Sequence, residues 1–520
     1  MIMQHSRLSF IVATAASVAA LMTSCAAAAR QDAASPTPPP PLFTEAERKA
    51  VQAYWAEPSR YSVMPSPTVL DRVNVTVAGS TWFHGFNTRV AELRKADPAE
   101  AARWEDWFKR RAAFEKAQAA GPAAAIPVLP AGAATPAAAP VPTAAPATDP
   151  GPIPPSLAAA HGTPPPLYEH VRPNRYVVTF APEDAPEPFV YEDAIDFGRR
   201  PAYYGYYRHT NGVQKMGKRV RDYAGEDREK LAALFARAGK TPSEGRVMQV
   251  VSALEGGFEA INTYDTGHVS IGFIQFITAI RGDGSLAEVL SRHKADDPAD
   301  FDKTFRRFGI DVAPERVMVV VDPATGVEKR GQDAVEAIIE DKRLTAVFER
   351  AGGTDGFRVA QLSVARSRYW PGDDLISVVA VTRYERKAGE QGGTPVETTF
   401  APAEFVPPGR AAEAAAAAPA VAATPPAVPT AGATPEAWTE RKVLTARVGD
   451  VVRSEAGMAT LMDRKVNRGN IRLINEVAAN LMREKALKRV EDLAQYEREV
   501  VAAMKYRHDF LADPILGQPK

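Results

Sequence analysis

Cysteine occurs once in 520 residues, at position 25. A lone thiol excludes an intrachain disulfide framework and a cysteine-rich metal site. Neither sign of charge is in excess, since 63 basic residues balance 63 acidic ones, which argues against a dedicated nucleic-acid binder. The eight histidines show no ligand spacing, so neither a metal nor an organic cofactor is implied. The apolar run at 8–22 is too short and too rich in small residues for a comfortable membrane span. What the chain does have is 45% hydrophobic residues, enough for at least one large core, in a length that fits two or three domains.

Residues 1–25 begin with His5 and Arg7, pass through the apolar run and end at Cys25, which is the pattern of an export signal. Met22-Thr-Ser-Cys25 resembles a bacterial lipobox, implying that Cys25 becomes a lipidated first residue and anchors the protein to a membrane. Cleavage within 26–29, leaving a soluble secreted protein, is the alternative. Ala26 rather than aspartate after the cysteine implies an outer-membrane lipoprotein facing the periplasm.

Composition divides the remainder. Residues 26–41 form a proline-rich tether, and Phe43-Thr-Glu-Ala-Glu47 opens a helix with a capping box. The segment 42–117 reads as a small helical N-terminal module, in which Trp104, Trp107 and Phe108 share a helix face as core residues. From 118 to 166 alanine and proline prevail, so a disordered, semi-rigid linker is expected. The main domain occupies 167–395, and a second disordered Ala/Pro insertion covers 396–436. Within the main domain, Tyr203, Tyr204, Tyr206 and Tyr207 precede Lys215 and Lys218, a stretch suited either to an anionic glycan or to plain structural packing. The helical segment 437–516 is expected to pack on the main domain, because two amphipathic helices alone bury too little surface. The fold class expected is α+β, mostly helical.

The most informative stretch is 241–276. Thr241, Pro242 and Glu244 make a capping box with proline at the first helical position, and Val247, Val250, Val251 and Leu254 repeat at helical spacing. Gly256-Gly257 stops that helix, which places Glu255 on its last turn beside residues without side chains. The following stretch from Asn262 to Phe276, rich in Thr, Tyr, Val, Ile and Phe with Gly267 and Gly272, predicts a short hairpin or strand-turn-strand. Cleaving a glycosidic bond needs a donor still protonated near neutral pH, and partial burial between Leu254 and Phe258 would move Glu255 that way.

Glu255-Gly-Gly-Phe258, Ser270 and Gly272-Phe-Ile-Gln275 together resemble the E-S-x-F, S and G-L-M-Q signature of bacterial lytic transglycosylases and goose-type lysozymes. Asp265, Gly267, Ser270, Gly272 and Phe273 also resemble the run after the acid in bacterial chitosanases of the same lysozyme-like superfamily. The resemblance implies a lysozyme-like catalytic domain with a small β-hairpin, and a glycosidase with Glu255 as general acid. It also implies that Asp265 activates a water held by Ser270 in an inverting hydrolase; in the transglycosylase route no second carboxylate is needed and Asp265 caps a turn. Gln275 then binds glycan or orients the acid, with Asn262 and Tyr264 as further substrate-binding candidates. Asp463 and Asn467, in a polar turn between the late helices, would line the same cleft if 437–516 docks. The substrate expected beside a lipid anchor is peptidoglycan. A glycan-gripping envelope scaffold without cleavage is the alternative. Gly256 stands where those families carry serine.

Overall fold

A computed structural model describes residues 39–68, 71–120, 149–193, 212–265, 267–387, 392–403 and 436–520. The segment read as an export signal, which includes Cys25, lies outside the described residues, as do most of the first tether and Tyr203–Tyr207. The chain divides into the units Met1–Leu42 and Phe43–Lys520, and the second carries every element below. Among the described residues the structure is α+β with helix predominating, about 49% against 19% strand. Among the described residues no helix is long and apolar enough to cross a membrane.

Helix α1 (Glu45–Trp55) starts at the expected capping box: the Thr44 hydroxyl accepts from Glu47 N, and the Glu47 carboxylate accepts from Thr44 N at 2.7 Å. Strand β1 (Tyr61–Pro65) follows, then β2 (Arg72–Val75), α2 (Val77–Ala96), α3 (Pro98–Ala120), α4 (Pro155–His161), β3 (Tyr168–Val171), β4 (Asn174–Val178) and β5 (Phe189–Glu192). Residues 42–117 do not form a module of their own. β1 pairs with β4 in a sheet ordered β1-β4-β5, and Trp55 donates from Nε1 to Phe308 O at 3.2 Å, so 43–65 belong to the main body. Helices α2–α4 share a core of their own, built on Phe86, Val90, Trp104, Trp107 and Leu157. The Ala/Pro linker is correspondingly shorter than 118–166. From 149 onward the chain is bound to α3, with Trp107 Nε1 donating to Gly151 O at 3.2 Å. A single leucine in an alanine background has no periodicity, which is why composition concealed α4.

The middle of the chain adds β6 (Gln214–Lys215), α5 (Glu226–Arg237), α6 (Pro242–Ser252), β7 (Ile261–Asn262), β8 (Ser270–Ile271) and β9 (Phe276–Ile277). The four strands form one antiparallel sheet in the order β6-β7-β8-β9. Helices α7 (Ser285–Asp296) and α8 (Pro298–Thr304) lead to β10 (Ile310–Val312), β11 (Met318–Val321) and β12 (Glu328–Arg330). β11 and β12 form a hairpin about the Asp322-Pro-Ala-Thr-Gly326 turn, where proline and glycine punctuate a β-branched run. Helices α9 (Gln332–Glu340), α10 (Lys342–Ala351) and α11 (Asp355–Tyr369) close the body, around fully buried Phe258, Phe273, Phe276, Phe301 and Phe305.

Strands β13 (Leu375–Arg386), β14 (Thr394–Pro402) and β15 (Glu436–Arg447) make a sheet ordered β14-β13-β15. The second Ala/Pro segment is thus bounded by strands on both sides rather than starting at 396, and 437–516 opens with a strand. Both β14 and β15 carry β-branched and aromatic residues that favour an extended chain, which the flanking Ala/Pro composition masked. Four helices follow: α12 (Val448–Val451), α13 (Glu455–Arg468), α14 (Leu473–Glu484) and α15 (Glu497–Met504). α13 lies against α6, and Arg246 of α6 holds Glu455 with its Nη2 at 2.6 Å. α14 packs on β13 and β14, where Asn475 Oδ1 accepts from Ser377 N at 3.0 Å.

Candidate active site

Helix α6 has the capping box its sequence specifies, with Glu244 accepting from Thr241 N at 2.9 Å and Pro242 in the first turn. Val247 and Val251 point into the core. The helix ends at Ser252, so Glu255 sits on the turn just beyond it rather than on its last turn. Glu255 N and Gly256 N both donate to Ser252 O, at 2.9 and 3.0 Å. The segment 214–219 runs directly behind this turn, and Gly257 N donates to Met216 O at 2.8 Å. A Cβ on Gly257 would lie 2.1 Å from Lys218 O, and one on Gly256 only 2.6 Å from the Ala260 Cβ. There is no room at 256 for the serine of the resembling families. Gly257→Ala is expected to destabilise the protein by about 1–3 kcal/mol, because the obstacle is backbone that cannot rotate away. A denaturant melt unchanged from wild type would contradict this.

The Glu255 side chain is 13% exposed and its Oε1 faces two donors from the C-terminal region. Arg507 Nη2 lies 2.5 Å away and Asn467 Nδ2 lies 3.4 Å away. Arg507 also donates to Asp463 Oδ1, from Nη2 at 2.7 Å and from Nε at 3.0 Å. Asn467 Nδ2 reaches the same oxygen at 3.1 Å. Asp463 is 1% exposed. Two carboxylates therefore share one guanidinium and one amide. Burial raises the Glu255 carboxyl above its ordinary pKa, and Arg507 and Asn467 pull it back without cancelling the shift. Burial opposes the charge on Arg507, but Glu255 and Asp463 more than offset this and raise its pKa.

The remaining sequence candidates lie on the β7–β9 turn region. Asp265 Oδ1 accepts from Gly267 N at 2.8 Å and Oδ2 from Asn262 Nδ2 at 2.7 Å, the geometry of a side-chain-capped turn. Asn262 Oδ1 accepts from Tyr264 N at 3.1 Å, so both ends of the Asn262 amide serve the turn itself and orient Asp265. Ser270 is buried on β8, opposite Asn262; a Cβ on Gly267 would lie 2.9 Å from its Oγ and 3.0 Å from Asp265 Oδ1. Gln275 has φ +54° and donates from Nε2 to Gly272 O at 3.1 Å. The same Nε2 lies 3.6 Å from where a Gly256 Cβ would be, which sets this amide against the acid-bearing turn. Of the basic stretch upstream, Lys215 pairs with Glu349 at 2.8 Å and Lys218 with Asp227 at 2.5 Å.

Two residues of this region were not anticipated. Arg507 falls in a short polar stretch with no periodicity, and its importance follows only from the tertiary approach of α13 to α6. Gln361, fully buried on α11, accepts from Phe273 N at 3.2 Å and donates to Phe258 O at 3.3 Å, tying the acid's turn to the β8–β9 connection. Its signal was available: a polar side chain four residues after Phe357, in the buried stripe of a helix. Gly272 at φ +86° leaves it space, since a Cβ there would meet Gln361 Oε1 at 2.1 Å. No protein-family profile, curated protein or solved structure matches this chain.

Proposed function

We propose that this protein cleaves the glycan strands of peptidoglycan, as a muramidase or lytic transglycosylase of lysozyme-like fold, with Glu255 as general acid. The observation that carries this is a largely buried carboxyl, its pKa raised, on a turn between a helix and a small antiparallel sheet. Protonated Glu255 would deliver its proton to the leaving glycosidic oxygen. Arg507 and Asn467, braced by Asp463, would fix the carboxyl's direction and favour its ionised form after transfer. Asp265, oriented by Asn262 and flanked by Ser270, would activate water in a hydrolase; in a transglycosylase the sugar's own hydroxyl attacks and Asp265 remains a turn cap. The lipobox-like Cys25 would hold the enzyme in the periplasm beside the wall.

A glycan-binding scaffold that does not cut is the second reading, favoured by the ion pair that already engages Glu255 Oε1. Incubation with purified peptidoglycan and mass analysis of what is released separates the two. 1,6-Anhydro ends would mark a transglycosylase and reducing ends a hydrolase, whereas sedimentation with the wall and no released fragments would leave the scaffold. The pH profile is a sharper check. Because the donor must be protonated, kcat/KM should fall as pH rises through the raised pKa of Glu255. Arg507→Gln removes the cation that opposes that rise and should move this alkaline limb to higher pH. A limb that stays in place would exclude Glu255 as the titrating group.

A further inference from the structure

Most cations around the acid are already matched. Arg246 pairs with Glu455, Lys465 with Asp374, Lys505 with Asp509, and Arg507 with both Glu255 and Asp463. Arg464 and Arg468 are different. They lie one turn apart on α13, and their guanidinium carbons stand 5.8 and 5.1 Å from the centre of the same ring, Tyr506. Arg464 donates at 3.4 Å to Met504 O, and neither arginine has a carboxylate partner among the described residues. Their place in the chain matters: Arg468 directly follows Asn467, and Tyr506 directly precedes Arg507, the two residues that touch Glu255.

We infer that Arg464 and Arg468, steadied by Tyr506, form an anion subsite next to Glu255 that takes a carboxylate carried by the glycan. This rests on the glycan-cleaving reading above and specifies its substrate as acidic. A planar guanidinium offers paired N–H donors at the spacing of a carboxylate, and stacking on an aromatic ring limits how far the fork can wander before substrate arrives. Burial and the like charge of Arg468 both hold the Arg464 pKa below its ordinary value, so an arriving anion would relieve a repulsion the free protein contains. A cationic glycan would meet the opposite field. In peptidoglycan two carboxylates are in reach of this chemistry: those of the stem peptide, and the lactyl carboxylate freed when the stem is removed.

The test uses the full chain bearing Glu255→Gln, so that binding is measured without turnover. Three soluble glycan fragments serve as probes: with stem peptides, with stems stripped by an amidase, and with carboxylates converted to amides. Arg468→Gln should weaken binding of one or both acidic probes by roughly five- to tenfold and leave the amidated probe unchanged. Arg468→Lys should recover part of the loss, and whichever acidic probe responds identifies the carboxylate. Equal weakening on acidic and amidated probes, or none on any, would overturn the subsite. That result differs from failure of the underlying reading, which would appear as an unmodified protein that releases no fragments from peptidoglycan. Because Arg468 is exposed on the last turn of α13, a thermal melt of Arg468→Gln matching its parent separates lost binding from lost fold.

Discussion

Glu255→Gln is expected to lower glycan cleavage by roughly 10²- to 10⁴-fold, the contribution of a positioned proton donor, without lowering the melting temperature at neutral pH. Glutamine keeps the shape and accepts from Arg507 and Asn467 but has no proton to give. The stability half follows from the direction of the pKa shift. A carboxyl whose folded pKa is raised contributes stability that is fully present below its unfolded pKa, and this is lost as pH rises through the folded value. As pH rises through that folded value the wild type loses this contribution, whereas the amide does not titrate and has none to lose. Melts at pH 4 and pH 7 should show wild type gaining on the variant at the lower pH. Undiminished turnover by Glu255→Gln would remove the proposed acid, and a neutral-pH melt several degrees lower would turn Glu255 into a structural ion-pair partner.

Asp463→Ala should be the most damaging single change outside the acid itself. Asp463 is almost completely buried and receives Arg507 through two guanidinium nitrogens and its backbone N, and Asn467 through one nitrogen. Its loss leaves those donors unmatched at the edge of the core, at about 2–3 kcal/mol; the range is kept low because the Arg507 side chain is 33% exposed and water can reach it. Denaturant unfolding measures that figure, and wild-type stability would contradict it. The milder Asp463→Asn isolates the electrostatics. Removing this negative charge takes away an influence that raises the Glu255 pKa, so the alkaline limb of the activity profile should move to lower pH. Arg507→Gln moves it the other way. Opposite displacements from two neighbouring substitutions are hard to produce by generalised damage, which makes the pair more informative than either alone.

The parts of this structure that were legible in the sequence are those whose causes sit within a few residues. Thr241 and Glu244 specify the start of α6, and Asp322-Pro-Ala-Thr-Gly326 turns the β11–β12 hairpin, whereas the helix stops at Ser252, ahead of the glycine pair. The fold class followed from summing such local signals. Asp463 and Asn467 could be proposed for the cleft only by supposing that the C-terminal region doubles back. Arg507 could not, because its partner Glu255 is 252 residues away and a side chain in an aperiodic stretch carries no mark of what it will meet. The same holds for β15, whose register is set by β13 and not by its own ends, and for the ordered return of the chain at α4. Asp265 remained ambiguous for a different reason: one carboxylate can both cap a turn and bind water, and residue type does not distinguish the two.

The great sequence distance between Glu255 and Arg507 also bears on when such an enzyme could become competent. During synthesis, the turn carrying Glu255 emerges long before residue 507 does, so a nascent chain holds the carboxyl without the Arg507 and Asn467 side chains that engage it. Under the proposed activity, a half-made copy would be inert toward the wall. Competence would arrive late and all at once, when the last helices close over α6.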